Sequence, residues 1–123
     1  MFKRNKNALV LIDCQKSFCD PDGALFVQGA VEDSQRTSDF ILRNSNEIDL
    51  VAMTFDSHDV LDISHPAWWR KANGDSIDPY TTVTLADIDN GVYFANKDPK
   101  RSRDYVQSLE ANGEFPHFIW PEH

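Results

Sequence analysis

Two short apolar runs limit what this chain can fold into: Ala8-Leu9-Val10-Leu11-Ile12, stopped by Asp13, and Leu50-Val51-Ala52-Met53-Thr54-Phe55, stopped by Asp56. A continuous apolar run of this length reads as a strand buried on both faces, the kind that sits inside a parallel sheet. Between the runs, Val31, Phe40, Ile41 and Ile48 give the stretch from Ala30 to about Asn46 one apolar side, which predicts a helix. The stretch from about Asp59 to Gly91 reads as irregular, with Pro66, Gly74, Pro79 and Asn90-Gly91 interrupting it. Pro99 predicts the start of a second helix, Tyr105, Val106 and Leu109 give it an apolar stripe, and Asn112-Gly113 predicts its stop. Phe115 to Trp120 is a third apolar run despite Pro116.

Strand, helix, strand, excursion, helix, strand is the alternation of an α/β fold. Right-handed crossovers narrow it to a Rossmann-like three-layer α/β/α arrangement around a parallel sheet. Three strands and two helices are about half of a usual doubly wound domain. Residues 1–123 are therefore expected to be a single, incomplete domain, truncated after the third strand.

Composition removes several classes of function. A chain of 123 residues suffices for one domain, and 41% hydrophobic residues argue against wholesale disorder. With 12 basic against 20 acidic residues the net charge is −8, which disfavours binding to nucleic acid or to an anionic membrane. No apolar run approaches the roughly 18 residues that span a bilayer. The basic start from Met1 to Lys6 lacks the apolar stretch and small-residue cleavage site of a secretory signal. Cys14 and Cys19 do not make a disulfide framework, so a reducing cytoplasm is the expected compartment.

In open parallel sheets ligands bind beyond the carboxyl ends of the strands. The polar residues expected there are Asp13 after the first strand, Asp56 and His58 after the second, and His123 after the third. Asp56 and His58 are two apart, so in extended backbone their side chains point the same way, and His65 follows on the adjoining loop. One carboxylate with two or three imidazoles suits a borderline divalent metal, Zn²⁺ or Fe²⁺. An isolated Asp-x-His more often marks a turn or a cap, and the convergence of His65 and His123 is what favours the metal reading. Phe18 and Trp120 can flank a flat ligand near Asp13, although aromatics beside a strand end are usually core. His117, inside the third run, reads as structural. Cys14 and Cys19 read as packed small hydrophobes. Trp68-Trp69 reads as a core or interface anchor, and the charged run from Lys97 to Arg101 as a solvated helix start.

These residues also carry a family resemblance. Ala8-Leu9-Val10-Leu11-Ile12-Asp13-Cys14-Gln15-Lys16-Ser17-Phe18-Cys19 resembles the opening strand and loop of nicotinamidases and the wider isochorismatase-like cysteine hydrolases. Ala52-Met53-Thr54-Phe55-Asp56-Ser57-His58, continuing to Asp62-Ile63-Ser64-His65-Pro66, looks like their metal-ligand segment, and Trp120-Pro121-Glu122-His123 is similar to their Trp-Pro-x-His motif. The resemblance implies hydrolysis of an unactivated amide in a small molecule such as nicotinamide, giving an acid and ammonia. It implies an aspartate, lysine and cysteine triad in which the aspartate prepares the attacking thiolate. Asp13 matches that aspartate. Asp56, His58, His65 and His123 match ligands of a divalent metal, Zn with Fe or Mn as other choices, and Phe18 and Trp120 match the aromatics that hold the ring. The implied lysine and nucleophilic cysteine match no residue here, Cys14 and Cys19 included. The chain is thus expected to carry the base and the metal site without the nucleophile, and to be inactive alone. A second polypeptide completing the sheet, or self-association, is the expected partner, because an uncovered apolar strand edge invites pairing. The competing expectation is a non-catalytic metal- or ligand-binding fragment that pairs with a related chain.

Overall fold

A computed structural model describes residues 6–123. Met1 to Asn5, which hold most of the basic start weighed above as a signal, lie outside the described residues. The chain divides into two compact units: the first runs to Ser57 and takes in His123, the second covers His58–Glu122.

The first unit contains strand β1 (Ala8–Leu11), the short helix α1 (Lys16–Cys19), helix α2 (Ala30–Arg43) and strand β2 (Leu50–Met53). β1 and β2 pair in parallel, Ala8 opposite Leu50 and Leu11 opposite Met53. The pairing runs past the strands, because the Thr54 amide donates to the Leu11 carbonyl and the Asp13 amide to the Thr54 carbonyl. Helix α2 starts after Gly29, whose φ of 90° is a left-handed conformation suited to glycine. Glu32 and Asp33 in its first turn and Arg43 in its last complement the helix dipole. Asn44 closes it, donating from both backbone and side chain to the Phe40 carbonyl.

The expectation of strands buried on both faces is corrected here. Val10, Ile12, Leu50, Met53 and Phe55 are all at least half exposed, with Ile12 at 70%. A two-stranded sheet has few neighbours to cover it, and a cleft of about 550 Å³ lined by Leu9, Leu11, Arg36 and Phe40 separates β1 from α2.

The second unit contains a 3₁₀ turn (Pro66–Trp68), β3 (Trp69–Lys71), β4 (Thr82–Val83), helix α3 (Leu85–Asp89), β5 (Tyr93–Ala95), helix α4 (Pro99–Ala111) and β6 (His117–Phe118). Its core is Trp69, Ile77, Val83, Val106 and Ile119, with Ile63, Trp68, Leu85, Ile88 and Tyr93 packed against it. The tryptophan pair is therefore a core anchor. Helix α3 opens on a capping box in which the Thr84 hydroxyl accepts from the Asp87 amide and the Asp87 carboxylate accepts from the Thr84 amide. Asp98 caps α4 and Pro99 opens it, as the charged run predicts, and Gly113 follows its end in left-handed backbone.

β3 pairs antiparallel with β5, and β4 antiparallel with β6. The third apolar run thus does not supply a third parallel strand. It contributes two residues opposite Thr82–Val83, continued by the Ile119 amide donating to the Thr81 carbonyl and the Tyr80 amide to the Ile119 carbonyl. Pro116 has no amide hydrogen, which limits how far a ladder can extend on that side. The chain is a mixed α/β protein with one parallel and two antiparallel strand pairs among the described residues. No helix among them is long and apolar enough to cross a membrane.

Candidate metal centre

The first unit assembles its polar residues where β1 and β2 end. Asp13 follows β1 with φ of 54°, a left-handed conformation that aspartate tolerates better than most side chains. Its amide donates to the Thr54 backbone oxygen at 3.2 Å and to the Thr54 hydroxyl oxygen at 3.1 Å, while the Thr54 hydroxyl donates to Asp13 Oδ1 at 2.9 Å. The turn at Asp13 leads to Gln15, just ahead of α1. Gln15 Nε2 donates to the Asp56 carbonyl, and the Asp56 amide donates to Gln15 Oε1, each at 2.8 Å. One side-chain amide therefore does for Asp56 what a neighbouring strand would do.

Held this way, Asp56 presents Oδ2 at 3.5 Å from His123 Nε2. The His123 side chain is 5% exposed, and its ring centroid lies 5.7 Å from that of Phe18. Asp13, Phe18, Asp56 and His123, four of the residues singled out in the sequence, thus come together within one unit through Thr54 and Gln15.

His58 is the first residue of the second unit, separated from Asp56 along the chain only by Ser57. Its Nδ1 lies 3.1 Å from Asp62 Oδ2. Asp62 Oδ1 accepts from the Ser64 amide at 2.8 Å and from the Ser64 hydroxyl at 2.6 Å. Partial burial pushes the Asp62 carboxyl up, but the Ser64 and His58 hydrogen bonds outweigh it and hold the group at about 2. Among the described residues, Asp56, His58 and His123 form a group of possible cation ligands. One carboxylate oxygen and two imidazole nitrogens are a donor set that suits a borderline divalent cation.

His65, expected as a fourth ligand, stands outside that group. It is 1% exposed, its Nδ1 lies 3.0 Å from the Asp59 carbonyl, and its ring centroid is 5.5 Å from that of His58. Trp120 lies in an aromatic cluster of the second unit, edge-on to Phe118 at 4.7 Å and to Tyr80 at 6.4 Å, with its amide donating to the Ser64 carbonyl. His117 is structural: it is buried between Trp69 and Tyr105, with Nε2 3.0 Å from the Ile63 carbonyl. Cys14 is exposed at the surface, and partial burial together with Cys19, Asp33 and Asp13 raises its thiol pKa, the opposite of what a nucleophile needs.

Four residues that organise the site had no role in the sequence reading: Gln15, Thr54, Asp62 and Ser64. Asp62-x-Ser64 carries a weak signal, since an aspartate two residues before a serine often accepts from its backbone. Gln15 carries none, because its partner is the backbone of a residue 41 positions away. Comparison of the chain with protein families, with curated proteins and with solved structures gave no match.

Proposed function

We propose that this chain carries the aspartate base and the divalent-cation ligands of a small-molecule amidohydrolase of the isochorismatase-like, nicotinamidase-related kind. The observation that carries the reading is the convergence, inside the first unit, of Asp13, Phe18, Asp56 and His123, fastened by Thr54 and Gln15. In this reading Asp56, His58 and His123 hold the cation, Zn²⁺ with Fe²⁺ or Mn²⁺ as alternatives, and His65 supports His58. When bound, the cation supplies open positions for water and for a nitrogen of the substrate.

Asp13 is the proton acceptor, its carboxylate oriented by the Thr54 hydroxyl. Phe18 and Trp120 are proposed to hold a flat ring such as that of nicotinamide. The lysine and cysteine implied by the resemblance correspond to none of the 123 residues, so turnover in this reading draws on residues beyond them. The three-layer arrangement around a parallel sheet and a cytoplasmic setting belong to the same proposal.

Zn²⁺ titration of the purified chain, with ammonia release from nicotinamide measured on the same sample, tests this. One bound ion per chain, lost in Asp56→Asn and in His123→Ala without change in circular dichroism, is the expected result. Stoichiometric Zn²⁺ binding by those variants would refute the ligand assignment. Ammonia release abolished by Cys14→Ser or Cys19→Ser would overturn the placement of the nucleophile.

A second reading rests on the exposed apolar side chains of β1 and β2, namely Val10, Leu50 and Met53. A parallel strand pair so little covered is a surface for another chain. Here the protein is a non-catalytic metal- or ligand-binding fragment that pairs with a related polypeptide. A monodisperse monomer in sedimentation, unfolding cooperatively, would count against this reading.

A further inference from the structure

We propose that Asp62, braced by Ser64, is a positioning residue that sets the tautomer and orientation of His58 for cation binding, a role that rests on His58 being a ligand as argued above. Asp62 divides its two oxygens between different tasks. Oδ1 takes both the amide and the hydroxyl of Ser64, at 2.8 and 2.6 Å, which fixes the plane of the carboxylate. Oδ2 faces His58 Nδ1 at 3.1 Å. A carboxylate only accepts, so the proton of the neutral imidazole sits on Nδ1 and the lone pair is on Nε2, the nitrogen that would meet the ion.

His65 restricts the ring further, with its centroid 5.5 Å from that of His58 and an angle of 60° between the planes. His65 itself is fixed by burial and by the Asp59 carbonyl. Carboxylate–imidazole–cation relays of this kind hold the ring in place and make it a stronger ligand, and losing the outer partner typically costs about 10- to 100-fold in metal affinity. The relay also explains the local sequence, because Asp62, Ser64 and His65 on one tight loop serve a single ring, four residues upstream of Asp62.

The test uses the full chain as wild type, Asp62→Asn and Ser64→Ala. Two quantities are measured: Zn²⁺ affinity by competition with a chromophoric chelator, and the His58 tautomer in the metal-free protein by ¹⁵N–¹H correlation of its ring nitrogens. Wild type is expected to show the Nδ1–H form. Asp62→Asn can donate its amide to Nδ1, so it is expected to shift the ring toward Nε2–H and to lower Zn²⁺ affinity about 10- to 100-fold. Ser64→Ala, which leaves the carboxylate in place, is expected to lower the affinity less and keep the tautomer. Unchanged tautomer and affinity in Asp62→Asn, with wild type binding Zn²⁺, would remove the positioning role and leave the ligand assignment standing. A wild-type chain that binds no Zn²⁺ would remove both.

Discussion

The Gln15 carboxamide pairs with the backbone of Asp56 through two hydrogen bonds of 2.8 Å, across 41 positions of sequence. Both groups that it satisfies belong to Asp56, three residues past the end of β2, where the ladder with β1 has run out. Gln15 therefore carries the sheet's bonding on from Thr54 to Asp56 and fixes the backbone from which the Asp56 carboxylate projects.

Replacing Gln15 by alanine removes both bonds and leaves a partly buried amide and carbonyl to find water. The expected loss of stability is about 1–2 kcal/mol. The larger effect is expected on the cation: with the Asp56 backbone released, Zn²⁺ affinity falls about 10-fold or more, in line with other outer partners of metal ligands. Paired urea unfolding and chelator competition on Gln15→Ala check this. Affinity unchanged at reduced stability would make Gln15 a purely structural clamp.

Asp13 allows the base to be separated from the turn. Its backbone is left-handed, at φ 54°, and its carboxylate accepts from Thr54. Asparagine adopts that conformation readily and keeps an oxygen for Thr54, so Asp13→Asn is expected to stay within about 0.5 kcal/mol of wild type. Asp13→Ala loses the hydrogen bond and places an ordinary side chain in a left-handed position, at an expected cost of about 1–2 kcal/mol. Chemical denaturation of the two variants decides the structural half. The functional half requires that Asp13→Asn, though folded, abolish amide hydrolysis in whatever assembly shows it.

The parts of this structure that could be read from sequence are those specified locally. Helix α4 is bounded by its own Asp98, Pro99 and Gly113, and β1 and β2 by the aspartates that follow them. The pairs β3–β5 and β4–β6 were not readable, because Arg70 meets Phe94, and Val83 meets His117, only through long-range packing with no local period to announce it. The same division holds in the site. Asp56 and His123 show themselves as potential ligands by residue type, whereas Gln15 acts through backbone and Asp62 through a histidine, and neither partnership has a compositional trace. The apolar runs are less buried than their composition suggests for a related reason: how far a strand is covered depends on its neighbours, and among the described residues β1 has only β2 on its ladder.

His117 gives a pH dependence with a definite sign. Burial lowers its pKa below 6.5, against the weaker opposing pulls of the Ile63 carbonyl and Asp62, so the folded protein favours the neutral ring. Nε2 faces a carbonyl, which can only accept, and so carries the proton of that neutral form. On unfolding the ring regains its ordinary affinity for protons. The stabilisation is therefore complete above about pH 6.5 and is lost as the pH falls from there toward the folded pKa, because the unfolded chain takes up the proton first. His117→Gln, which keeps a donor for the Ile63 carbonyl but cannot titrate, is expected to be less stable than wild type at neutral pH and to lose less stability on acidification. Urea unfolding of both proteins at a series of pH values from about 7.5 down to about 5 measures the difference, and the subtraction cancels every contribution common to the two proteins. Parallel curves for the two proteins across that range would show that the folded protein does not exclude the charged form of His117.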